Sequence, residues 1–202
     1  MSELGKVYIA SMKMRGKWAE KPNNTIIINV TSMQSKKSQF RIDFSPMSEI
    51  EGGYKGYYCF ENYWQSGKVY DNLNTEKYIE WWKDLKVGKR KYPKSKNCKV
   101  LYSNFNSIKR NYIESRKDIY IPEYYNLIKN SISIKKCKEM VQMGKNLVIY
   151  DFDGPKKLNG DNDCLLVSKE LLKEKVNDGL YPFGHGYIIA GEILNIHYSN
   201  YI

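Results

Sequence analysis

The stretch 146-NLVIYDFDGP-155 decides the fold class. Leu147, Val148, Ile149 and Tyr150 follow one another without a polar break. Strict alternation would mark a strand wetted on one face, whereas a continuous apolar run marks a strand covered on both. A strand covered twice needs neighbouring strands and helices packed over them. KVYIAS (6–11) and NTIIINVTS (24–32) are the candidate neighbours, with β-branched residues clustered between turn formers.

Helices account for most of the rest. The sequence predicts them at about 60–70, at 75–86 with Asn74 as N-cap, near 106–117, and from Pro122 onward. Others are expected near 133–143 ending at Gly144, after Ser168, and from Gly184. Residues 33–58 read as loop, and 86–99 as a basic loop. There is no internal repeat and no linker. The expectation is an α+β fold, predominantly helical, in a single domain with a small buried sheet.

The totals narrow the function classes. At 202 residues the chain can build a core without metals or disulfides. No apolar run nears the ~18 residues of a membrane span, so no membrane partner is expected. The opening residues 1–21 carry an early acid and no long apolar region, unlike a leader peptide. Cys59, Cys98, Cys137 and Cys164 are isolated in sequence and read as reduced thiols, with neither a metal nor a cofactor expected. The expected location is the cytoplasm, that of the host if the chain is viral. Net charge is +11, which suits nucleic acid or a phosphorylated ligand. Richness in Lys, Asn, Ile and Tyr also follows from an AT-rich genome, as in many viruses, without any role for the charge.

The segment 60-FENYWQSGKVY-70 carries the most chemistry. Glu61, Trp64, Gln65 and Lys68 are spaced i, i+3, i+4, i+7, which on one helix is one face. Phe60, Tyr63, Gly67 and Tyr70 form an apolar stripe beside it. A carboxylate there can stabilise the positive charge that develops when an N-glycosidic bond breaks. A desolvated lysine can bind a sugar or form an imine with its aldehyde. Trp64 can stack on a base or sugar, and Gln65 can orient a ligand. The plain alternative is a surface helix with an incidental tryptophan.

Three further motifs compete with ordinary structural roles. Asp151 and Asp153 close the buried strand, where α/β folds place ligands; they are acid/base candidates or members of a solvated turn. The run resembles the DxDG motif of haloacid-dehalogenase phosphatases. Pro155 departs from that pattern, and the rest of the chain lacks the downstream residues at their usual spacing. Gly184, His185 and Gly186 open the last helix, a place that attracts phosphate or simply caps itself. Lys89, Arg90 and Lys91 in the basic loop, with Arg116 beyond it, offer contacts to phosphates or to solvent.

Taken together, 61-ENYWQSGK-68, FSPM (44–47), DFDG (151–154) and FGHG (183–186) resemble the NADAR superfamily. Its helix carries an E-x-x-aromatic-Q-x-x-K pattern. This chain departs at Phe152-Asp153-Gly154-Pro155, where the family has Trp-Gly, and at His185, where an asparagine is expected. A second resemblance is to an uncharacterised group sharing the W-Q-x-x-K-V helix and an I-Y-x-P-x-Y segment, here IYIPEY (119–124). The NADAR resemblance implies a metal-free N-glycosidase whose substrate is a nucleotide-sugar or an ADP-ribosylated nucleic acid. The alternative is a non-catalytic basic protein that binds nucleic acid.

Overall fold

The structure is a computed structural model that describes residues 3–14 and 25–202. Asn24, expected to start the second strand, and residues 15–21 of the amino-terminal stretch lie outside the described residues. The described parts of Met1–Ser45, together with Ile121–Ile202, form one compact unit. Pro46–Tyr120 forms a second. Neither crossing, at 45/46 or at 120/121, is marked by a Gly- or Ser-rich linker, so the sequence reads as continuous. The fold is mixed α+β. Among the described residues no helix is long and apolar enough to cross a membrane.

The first unit is built on the decisive strand. β1 is Val7–Ser11, β2 is Thr25–Asn29, and β6 is Asn146–Asp151. β6 lies between β1 and β2 and is parallel to both, and β7 (Cys164–Leu166) adds antiparallel to β1. Leu147, Val148 and Ile149 are fully buried, as the unbroken apolar run requires. One face of the sheet gathers Ala10, Met12, Val148 and Tyr150. The unit's long helices are α6 (Ile132–Gln142), α7 (Lys169–Asn177) and α8 (His185–Ile193). α5 (Ile121–Ile128) packs on α8. Every residue of α8 is buried, and its two polar side chains have partners, His185 at Asp151 and Glu192 at Lys138.

Local chemistry sets most boundaries. Ser131 and Ser168 accept hydrogen bonds from Ile134 N–H and Leu171 N–H, so each caps its helix. Gly144 follows α6 with φ of +76°, the left-handed turn that glycine tolerates. The loop expected over 33–58 contains a short helix, α1 (Gln39–Phe44). Six residues are too few to display a helical period. Its carboxylate Asp43 accepts from the Ser133 N–H at 2.9 Å and so holds the start of α6.

The second unit departs more from expectation. α2 is Phe60–Ser66 and stops there, and Lys68–Tyr70 is a strand, β3. The ring of Phe105 packs so closely on Gly67 that an added Cβ would lie 2.2 Å from it, and the chain turns at that contact. β3 pairs with β4 (Val100–Phe105), which pairs with β5 (Ile108–Arg110) in an antiparallel sheet. The helix expected near 106–117 is therefore a hairpin followed by a short helix, α4 (Tyr112–Ser115). Asn106 and Ser107 both have positive φ, the two-residue turn that hairpins favour; serine in place of glycine disguises it. Arg116–Tyr120 then forms one π-helical turn. α3 (Thr75–Asp84) starts as expected, with the Asn74 side chain accepting from Lys77 N–H.

Candidate functional site

Every residue of α2 is buried, so the segment singled out for its chemistry is neither a solvent face nor a two-sided stripe. Glu61 is 7 % exposed and Gln65 is 8 % exposed. The Gln65 side-chain amide donates to Glu61 Oε1 at 2.7 Å, one helical turn away. The Gln65 carbonyl accepts from the Tyr78 hydroxyl at 2.6 Å, which ties α2 to α3. Burial holds that hydroxyl well above the ordinary tyrosine range, so it stays a donor. A buried carboxylate is costly unless it is held by donors, and such groups concentrate where chemistry needs a fixed charge.

Trp64 is flanked by aromatic rings. Its indole stacks on Phe105 at 5.8 Å with an interplanar angle of 9°, and Tyr120 tilts against it at 4.9 Å. Phe60 is a core residue, packed against Tyr54, Tyr63 and Tyr120. Lys68 is not on the helix face that the spacing predicted. It sits half-buried on β3, opposite Ser103, because the helix ends two residues earlier.

Asn62 was missed. It is fully buried, donates to the Val87 carbonyl at 3.0 Å and accepts from the Lys89 N–H at 3.0 Å. A polar residue one step from Glu61 on a helix otherwise rich in aromatics was the available signal. Cys59, the N-cap residue of α2, has its thiol pushed up to about 11 by burial, so it is held as a neutral thiol.

The remaining candidates fall in the first unit. Asp151 is fully buried at the end of β6. Its Oδ2 accepts from the Gly186 N–H at 2.8 Å and lies 3.3 Å from His185 Nδ1. The other ring nitrogen, Nε2, is 2.9 Å from the Val30 carbonyl, which only accepts, so Nε2 carries the proton. The start of α8, expected to attract phosphate, thus already faces a carboxylate of the chain itself. Gly184 and Gly186 are small for the same reason. A Cβ would lie 2.4 Å from Asp151 Oδ2 at the first and 2.9 Å from Asp151 Cβ at the second. Asp153 is half-buried in the following turn, and its backbone N–H lies 3.4 Å from Asp151 Oδ1.

Lys89, Arg90 and Lys91 are exposed, as a phosphate-contacting role needs. Arg116, expected to share that role, is 1 % exposed, with its guanidinium 4.4 Å from the Tyr112 ring centre. The π turn brings it inward with Ile119 and Tyr120. Glu61, Trp64, Gln65 and Lys68 thus belong to the second unit, and Asp151, Asp153 and the Gly184–His185–Gly186 segment to the first.

No family model, curated protein or solved structure matches the chain. All four cysteines are free thiols, with Cys59 and Cys137 buried.

Proposed function

We propose that the chain is an N-glycosidase of NADAR-like type that acts in the cytoplasm on a ribosyl or ADP-ribosyl N-glycoside, with Glu61 as the essential carboxylate. One observation carries this reading: Glu61 is buried on α2 and oriented by the Gln65 amide at 2.7 Å. A preoriented carboxylate shielded from water acts on developing positive charge far more strongly than one in solvent. Trp64, one helical turn from Glu61, is held by Phe105 and Tyr120, and in this reading the edge of that cluster meets the base or sugar.

In the proposed reaction the bond between C1′ of the ribose and the base nitrogen breaks. Its electron pair leaves with the nitrogen, and the charge spreads over C1′ and the ring oxygen. Glu61 stabilises that charge, a water molecule adds its oxygen to C1′, and the proton that water loses ends on the departing nitrogen, which completes hydrolysis. Gln65 positions Glu61 and does not itself touch the reacting atoms. Lys68, on the strand that follows α2, binds the sugar or its phosphate.

The test is turnover. Wild-type protein is incubated with an ADP-ribosylated guanine oligonucleotide and, separately, with a ribosylamino-pyrimidine phosphate, and the released sugar is quantified. Release by wild type that Glu61→Gln abolishes at an unchanged melting temperature supports the reading. Equal release by both proteins, or none from either substrate, counts against it.

A further inference from the structure

We infer that residues 83–99 are a preshaped docking surface for single-stranded nucleic acid. A run of like charges normally repels itself and stays solvated, without a fixed conformation. This one is built. Asn62, fully buried, gives both its amide donor and its amide acceptor to the loop, at Val87 and Lys89. Gly88 lies so close to Met47 that a Cβ would fall 2.6 Å from the Met47 carbonyl oxygen. Pro93–Ser95 forms a tight turn in which both the hydroxyl and the N–H of Ser95 donate to the Tyr92 carbonyl. At the far end Asp71 and Lys99 exchange two hydrogen bonds, each 3.1 Å.

Between these clamps stand the exposed side chains of Lys86, Lys89, Arg90, Lys91, Lys94 and Lys96. Holding so many cations on one ordered loop opposes their mutual repulsion, and a polyanion relieves it. One aromatic ring, that of Tyr92, is interleaved with the charges. Tyr92 is half-exposed and packs edge-on against Tyr78 at 5.1 Å and Trp81 at 5.0 Å. Its ring plane is therefore set before a ligand arrives. Charges alone suit any phosphate backbone, whereas an oriented aromatic among them rewards bases that are free to stack. That combination selects a single strand over a duplex. The surface is separate from the reaction proposed at Glu61 and stands without it.

The experiment measures anisotropy of a fluorescein-labelled 20-nucleotide oligo-dT with the full chain, across a salt series. Three variants accompany wild type: Lys89→Gln/Arg90→Gln/Lys91→Gln, Tyr92→Leu, and Glu61→Gln. Melting temperature controls for folding. The triple variant is expected to weaken binding at least ten-fold and to lower the slope of log K against log salt by about 2, since each charge lost on a single strand removes roughly 0.7. Tyr92→Leu is expected to weaken binding about ten-fold at an unchanged slope, the size of one lost stacking contact. Glu61→Gln should bind as wild type does, so failure here is distinct from failure of the proposed reaction. Binding that ignores the triple substitution overturns the inference. So does equal binding to polyglutamate or to phosphatidylserine vesicles with Tyr92→Leu indifferent, which marks an unselective charged patch.

Discussion

Asp151 reaches from the end of β6 to the first turn of α8, where its Oδ2 lies 3.3 Å from His185 Nδ1 and 2.8 Å from the Gly186 nitrogen. The carboxylate is fully buried, so these contacts hold a strand end and a helix start together without help from water. The aspartate that the sequence offers as an acid/base candidate has, in this geometry, a structural task.

Replacing Asp151 by Ala should therefore act on stability. It leaves the Gly186 N–H buried without its acceptor and removes the carboxylate packed against the His185 ring, a loss of about 3 kcal/mol. For a chain of this size that corresponds to a fall in melting temperature of roughly 6 to 12 °C. Magnesium-dependent phosphatase turnover that Asp151→Asn removes, with melting temperature unchanged, would instead restore a catalytic role.

Gly67→Ala should be destabilising by overpacking. The new methyl would sit 2.2 Å from the Phe105 ring, which is itself stacked on Trp64. A cost of about 1 to 3 kcal/mol is expected, read in urea denaturation as a lower midpoint at constant slope. An unaltered midpoint would show that Phe105 swings aside freely, and the ring packing around Trp64 would then not be fixed.

Asn62→Leu should release the basic loop while keeping α2 apolar. The Val87 carbonyl and the Lys89 N–H lose their hydrogen bonds to the Asn62 amide. Hydrogen exchange at Lys89 N–H should quicken by at least ten-fold, the equivalent of about 1.4 kcal/mol of lost local protection. Exchange as slow as in wild type would mean that the loop holds its shape by other contacts.

Alkaline stability follows from the buried acids. Burial pushes the thiols of Cys59 and Cys137 up to about 11 and about 12, and raises the hydroxyls of Tyr78, Tyr124 and Tyr187. The folded state then holds protons that the unfolded chain gives up from about pH 9 for thiols and about pH 10 for tyrosines. Their contribution is whole below pH 9 and is lost as pH rises through the folded values. Melting temperature should fall between pH 9 and 12, with the tyrosinate absorbance of the buried rings appearing only on unfolding. A flat melting curve with all tyrosines titrating near pH 10 would contradict the burial.

Where the sequence was legible, one physical signal dominated. β6 announced itself because a strand covered on both faces cannot alternate, and Leu147 to Tyr150 do not. The caps Asn74, Ser131 and Ser168 and the turn at Gly144 are local chemistry, readable without tertiary context. The second unit was harder because its boundaries are set across the chain. Nothing near Gly67 reveals that Phe105 lies against it, so the spacing of Glu61 and Lys68 was taken for one helix. The same ring contacts turned Trp64 and Phe60 inward. Burial of Arg116 depends on a π turn, which carries no periodic signature. Asn62 joins α2 to a loop 25 residues away, a contact only the fold creates.

The central claim is that Glu61 belongs to a nucleotide-sugar site. The most direct test is a thermal shift with ADP-ribose and with ribose 5-phosphate, at low and high salt, on wild type and Glu61→Gln. A ligand at ~100 times its dissociation constant adds about 2.7 kcal/mol, several degrees for a chain of this size. The account predicts a salt-resistant shift with at least one ligand in wild type and none in Glu61→Gln. A shift that persists in the variant, or no shift with either ligand, contradicts it.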